Sequence, residues 1–104
     1  MRILFAGTTQ HAARVLRHLA NSIHEIVGVI TREDAPVGRK STLTESPVAE
    51  VAHELGMTVI KVNKPDSSTD ELIASLSADA GVVIAYGSLL KPTTLASTRG
   101  GWFN

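Results

Sequence analysis

Any chemistry done by this sequence has to come from polar residues in turns, because the commonest reactive groups are absent or scattered. Gly7-Thr8-Thr9-Gln10 follows a short apolar run and opens a stretch with helical spacing. Backbone N–H groups at such a helix start can hold an anion or a polar substrate. A dinucleotide fingerprint needs glycines at two further positions, where Thr9 and Ala12 stand, so a nicotinamide cofactor is not expected. The residues alone leave a plain tight turn and a substrate loop both open.

Arg39 and Lys40, in a polar stretch with Arg32, have the charge to contact phosphates, although a few basic residues in such a loop are usually just solvated. Tyr86, with Leu89 and Leu90, fits either an edge-of-sheet core or the wall of a small-molecule site; pattern alone favours core. His11, His18, His24 and His53 are spread along the chain, and His53-Glu54 lacks the second histidine of a zinc helix. All four read as solvated or structural, and no metal site is expected. With no cysteine, thiolate catalysis, disulfides and Cys-based zinc sites are excluded. The chain also lacks acidic residues directly after its first apolar run, which argues against a metal-dependent receiver-type regulatory domain.

The elements that would position these residues follow from periodicity. Ile3 to Ala6 reads as a strand buried on both faces, closed by Gly7. Thr8 and Thr9 are cap candidates for a helix whose apolar residues fall at Ala12, Val15, Leu16, Leu19 and Ala20. Glu25 to Ile30 is a second buried strand, followed from Thr31 to Glu45 by a polar connection that is long for a strand-to-helix link. Ser46-Pro47 starts a second helix, which Gly56 stops. Thr58 to Val62 is a third strand, and the capping-box spacing in Ser68-Thr69-Asp70-Glu71 starts a third helix. Ala80 to Ala85 is a fourth strand, a short helix is expected near Pro92, and Gly100 to Asn104 begins a fifth strand.

Strands alternating with helices at this spacing imply an α/β fold: a doubly wound, Rossmann-like, mostly parallel sheet with flanking helices, right-handed in its crossovers. Ligands of such sheets sit at the carboxyl ends of the strands, which singles out Gly7 to Gln10, Thr31 onward, and Tyr86 to Leu90. A chain of 104 residues, 43% hydrophobic, can bury one modest core. Ten Lys plus Arg balance ten Asp plus Glu, so no overall basic field exists and any contact with RNA must be local. The apolar stretch at the amino terminus is too short for the hydrophobic region and cleavage site of a signal peptide, and no later run approaches membrane-spanning length, so a cytoplasmic protein without a membrane partner is expected.

Taken in order, several segments resemble the folate-dependent formyltransferases, and among them the branch that acts on methionyl initiator tRNA in translation initiation. The segments are Met1-Arg2-Ile3-Leu4-Phe5-Ala6-Gly7-Thr8, Val27-Gly28-Val29-Ile30-Thr31, Pro36-Val37-Gly38-Arg39, Ser46-Pro47-Val48, Ala85-Tyr86-Gly87 and Gly101-Trp102-Phe103-Asn104. No single piece is specific; their order and spacing are.

The resemblance implies transfer of the formyl group of 10-formyltetrahydrofolate, a donor substrate, to the amino group of methionine on the tRNA. It implies that the pterin pocket is lined by Tyr86, Gly87, Ser88, Leu89 and Leu90, and that the long loop meets the tRNA acceptor arm through Arg39 and its neighbour Lys40. Asn104 falls on the asparagine that begins the family's Asn-x-His signature, and its side-chain amide would donate to the oxyanion of the tetrahedral centre. The histidine and an aspartate of that family lie beyond this position. Residues 1–104 are therefore expected to be the N-terminal part of a catalytic domain, truncated, inactive alone, and inclined to self-associate through an uncovered edge. Two other readings stand beside it: a sibling formyltransferase acting on a nucleotide sugar or glycinamide ribonucleotide, and a small α/β binding module without chemistry.

Overall fold

A computed structural model of the chain describes residues 1–39, 42–64, 66–84 and 86, and the backbone of 102–103. In chain order the elements are β1 (Arg2–Gly7), α1 (Gln10–Ala20), β2 (Glu25–Thr31), β3 (Ala35–Val37), β4 (Thr42–Thr44), α2 (Pro47–Glu54), β5 (Val59–Lys61), α3 (Ser67–Ser75), β6 (Ala80–Ile84) and β7 (Trp102–Phe103). The main sheet has the order β5-β2-β1-β6-β7, and every pair in it is parallel. The chain works outward from β1 to β2 and β5, then returns to place β6 on the other side of β1. That reversal is the topological switch point of a doubly wound fold.

The strands earn their continuous apolar runs by being covered on both faces. Phe5 and Val29 point to one side, where Ala12, Ala13 and Leu16 of α1 and Val48, Val51 and Ala52 of α2 pack on them. Leu4, Ala6 and Ile30 point to the other, against Ile73 of α3, Ala78 and Tyr86. Alternate residues of one strand thus feed opposite cores, as the two-residue repeat of a strand demands. Full burial of each large side chain contributes about 1.5–3 kcal/mol, so the two central strands fix the domain.

Caps set where the helices begin. Thr9, in extended conformation, accepts from the Ala12 N–H at 3.2 Å, so of the two cap candidates it is Thr9 that starts α1. Ser46 caps α2 by accepting from Ala49 N–H at 3.0 Å, with Pro47 in the first turn, and Gly56 takes φ +69° just past the end. The third helix begins earlier than the Ser68 capping spacing predicts. Asp66 is its cap, accepting from Thr69 N–H at 3.1 Å, and Ser68 lies inside the first turn. A carboxylate is the stronger acceptor at a helix start, where the backbone dipole is positive, and it outcompetes a serine hydroxyl two residues on.

The long connection from Thr31 to Glu45 is not featureless. It folds into an antiparallel hairpin, with Ala35 opposite Thr44, Pro36 opposite Leu43 and Val37 opposite Thr42. Gly38 takes φ +78° at the turn, a conformation that favours glycine. The expected fifth strand is present as β7, beside β6. The short helix expected near Pro92 lies outside the described residues. Among the described residues, no helix is long and apolar enough to cross a membrane.

Candidate active site

The switch point puts the carboxyl ends of β1 and β6 side by side, with Gly7 paired to Ile84. Gly7 is required there by space. A Cβ on it would lie 2.7 Å from the Ile84 carbonyl oxygen and 2.8 Å from the Ala12 Cβ. The missing side chain lets α1 start directly over the strand end, so its N-terminal dipole faces the crevice, and no acidic residue in the first turn neutralises it. Thr9 is occupied as the cap. Thr8 reaches across the switch point instead, its hydroxyl donating to the Tyr86 carbonyl at 3.0 Å. Gln10 is the exposed first residue of α1.

Tyr86 is buried in the core cluster under α3, and its hydroxyl donates to the Val62 carbonyl at the end of β5. Burial pushes its phenol up to about 12, and the charge of Glu33 adds to the rise. Tyr86 is thus held at both ends, by Thr8 through its carbonyl and by Val62 through its hydroxyl. Its ring is core, and its backbone lies two residues past the end of β6, at the switch point. Gly87, Ser88, Leu89 and Leu90, Lys40, and Asn104 lie outside the described residues.

Arg39 is exposed just after Gly38, at the turn of the hairpin, away from the sheet's cores. The hairpin's other large side chains are exposed too: Val37 is 52% and Leu43 68% accessible. At its base the picture changes. The Thr31 and Ser46 hydroxyls, one on each arm, are buried and hydrogen-bonded to each other. Arg32 donates to the carbonyl of Thr44 at 3.0 Å, tying the arms together. Lys61 of β5 reaches Asp34 at 2.8 Å and Glu45 at 3.2 Å, and Glu45 also meets His53 at 3.0 Å. Burial pushes the Glu45 carboxyl up, but hydrogen bonds from Lys61 and His53 outweigh it and hold the group below its ordinary range. Hydrogen bonds to Asp34 and Glu45 raise the Lys61 ammonium correspondingly.

The sequence alone singles out none of Lys61, Asp34 or Glu45, since a charged residue near a strand end carries no signal until its partners are known. Of the histidines, His11 and His18 are exposed, His53 joins the Glu45 pair, and His24 has a buried Nδ1 without a hydrogen-bond partner. Among the described residues no group of three or more His, Cys, Asp or Glu could hold a metal ion.

Residues 1–104 match, over their whole length, the family described as formyl transferase. The chain is 45% identical to the methionyl-tRNA formyltransferase of Clavibacter sepedonicus, covering 100% of this chain and 34% of that protein. It is 48% identical to that of Leifsonia xyli subsp. xyli, again over 100% of this chain and 34% of the relative. The chain thus spans about a third of the length of the curated relatives it matches. Among solved structures, phosphoribosylglycinamide formyltransferase from Bacillus halodurans superposes with a TM-score of 0.68 over 98% of this chain and 54% of that one. Glycinamide ribonucleotide transformylase 1 from Symbiobacterium toebii does so with a TM-score of 0.61 over 97% of this chain and 48% of that one. At 14% identity these two likenesses speak to the fold alone.

Proposed function

The chain belongs to the formyl transferase family, and we propose that it forms the N-terminal part of the catalytic domain of a methionyl-tRNA formyltransferase. In this reading the enzyme moves the formyl group of 10-formyltetrahydrofolate to the amino group of methionine esterified to initiator tRNA, in the cytosol. One observation carries the choice of acceptor: whole-chain identity of 45–48% to proteins of that name.

The amine lone pair attacks the formyl carbon and makes a tetrahedral centre whose oxygen carries the developing charge. The side-chain amide of Asn104 donates a hydrogen bond to that oxygen. The bond from carbon to the folate nitrogen then breaks, the nitrogen takes up a proton, and the amine loses one. The folate lies along Tyr86 to Leu90, beside Gly7 to Gln10, where the N-terminal end of α1 favours a polar or anionic portion of a substrate. The hairpin turn, with Arg39 and Lys40, meets the phosphates of the tRNA.

The test is an acceptor competition with the intact enzyme. Formyl transfer from 10-formyltetrahydrofolate to methionyl initiator tRNA is expected, and transfer to glycinamide ribonucleotide or a nucleotide sugar is not. Asn104→Ala is expected to lower kcat about a hundredfold or more, with substrate affinities little changed, as loss of an oxyanion donor does. Preferred transfer to the ribonucleotide would move the protein to the sibling class.

A further inference from the structure

The end of β5 does more than close the sheet. Lys61, Val62 and Asn63 are consecutive, and each grips a different part of the surrounding structure. Lys61 binds one carboxylate on each arm of the hairpin, Asp34 before β3 and Glu45 after β4. The Val62 N–H donates to the Thr31 carbonyl at 2.8 Å, and the Val62 carbonyl accepts from the Tyr86 hydroxyl. The Asn63 side-chain oxygen accepts from the Glu33 N–H at 3.0 Å, and the Asn63 N–H donates back to the Glu33 carboxylate at 3.4 Å. Residues 61–63 therefore touch the inbound arm of the hairpin, its outbound arm, and Tyr86, two residues past the end of β6.

We propose that residues 61–63 are a strap that fixes the hairpin relative to the Tyr86 segment, with Lys61 as its principal positioning residue. The inference rests on the functional reading above, in which the hairpin serves the tRNA and the Tyr86 segment serves the folate. Transfer between two bound substrates requires their reacting atoms to be aligned, and small misplacements are expensive in rate. A compact ammonium with three donors suits the task, because it bonds both arms at once. Each pair is partly exposed and adds little to overall stability. Their effect is on where the hairpin points.

The test replaces Lys61 with methionine, which keeps the length and removes the charge, and with arginine, which keeps the charge. In the intact enzyme Lys61→Met is expected to lower kcat/KM for methionyl-tRNA about tenfold, with the KM for 10-formyltetrahydrofolate unchanged. Hydrogen exchange should quicken in the backbone amides of β3 and β4 and stay slow in β1 and β6. Lys61→Arg should recover most of both effects. Unchanged hairpin exchange with a tenfold kinetic loss would overturn the proposal, since Lys61 would then act on the acceptor directly. Quickened exchange with unchanged kinetics would overturn it as well, leaving Lys61 an ordinary surface ion-pair residue. If the wild-type enzyme moves no formyl group to tRNA, the functional reading fails by itself. Hairpin exchange in Lys61→Met then decides whether the strap holds the hairpin.

Discussion

Phe5 and Leu43 are both large apolar residues on strands, yet Phe5 is 0% exposed at the centre of the parallel sheet and Leu43 is 68% exposed on the hairpin. The sheet is held by burial on both faces, with α1 and α2 on one side and α3 on the other. The hairpin is held at its root, by the Thr31–Ser46 hydroxyl pair and by carboxylates gathered around Lys61. Burial is collective and insensitive to any one polar group. Anchoring by a few directed contacts leaves the far end accessible to a partner and makes its orientation depend on single residues. The difference matches the division of labour proposed above, a rigid floor for the folate and a projecting element for the tRNA.

The comparison is broken most directly by truncating both residues. Phe5→Ala should cost about 3–5 kcal/mol, and Leu43→Ala less than about 0.5 kcal/mol, in urea unfolding of the chain. A comparable loss at Leu43 would mean that the hairpin has a core of its own.

Tyr86 sharpens the contrast from the sheet side. Its phenol is raised from 10.0 to about 12, so the folded state keeps the proton that the unfolded state loses. The stabilisation is fully present below pH 10 and is lost as pH rises through 12. Tyr86 is the one tyrosine of the chain, so phenolate absorbance reports it alone. Titration near 10 would contradict the buried placement, and Tyr86→Phe should remove this part of the alkaline loss.

Ser46 lies where the two regions join. Its hydroxyl caps α2 and pairs with that of Thr31. Ser46→Ala should cost about 2 kcal/mol, roughly 1 from the cap and the rest from a buried Thr31 hydroxyl left unpaired. Adding Thr31→Val should return part of that loss in thermal unfolding, because the orphaned hydroxyl is then gone.

The same contrast explains what the sequence disclosed. Ile3 to Ala6, Glu25 to Ile30 and Ala80 onward announce buried parallel strands, because covering both faces requires continuous apolar runs. Ser46-Pro47 and Gly56 mark a helix, because caps and left-handed stops have local chemistry. The hairpin is silent, since strands of three residues that include Pro36 give no alternation to read. The start of α3 misleads, because Ser68 and Glu71 have the right spacing but Asp66 supplies the better acceptor. At the site, Gly7 to Gln10 is legible as a turn at a strand end, but the separate tasks of Thr8 and Thr9 are not. Lys61 escapes altogether, because its meaning depends on Asp34 and Glu45 arriving from two distant stretches.

The division between floor and projection is tested most directly by steady-state kinetics of Arg39→Ala in the intact enzyme, with each substrate varied in turn. Removing the proposed phosphate contact of Arg39 should raise the KM for methionyl-tRNA about tenfold and weaken its salt dependence, with the KM for 10-formyltetrahydrofolate and the melting temperature unchanged. Equal rises in both KM values, or none in either, would contradict the account.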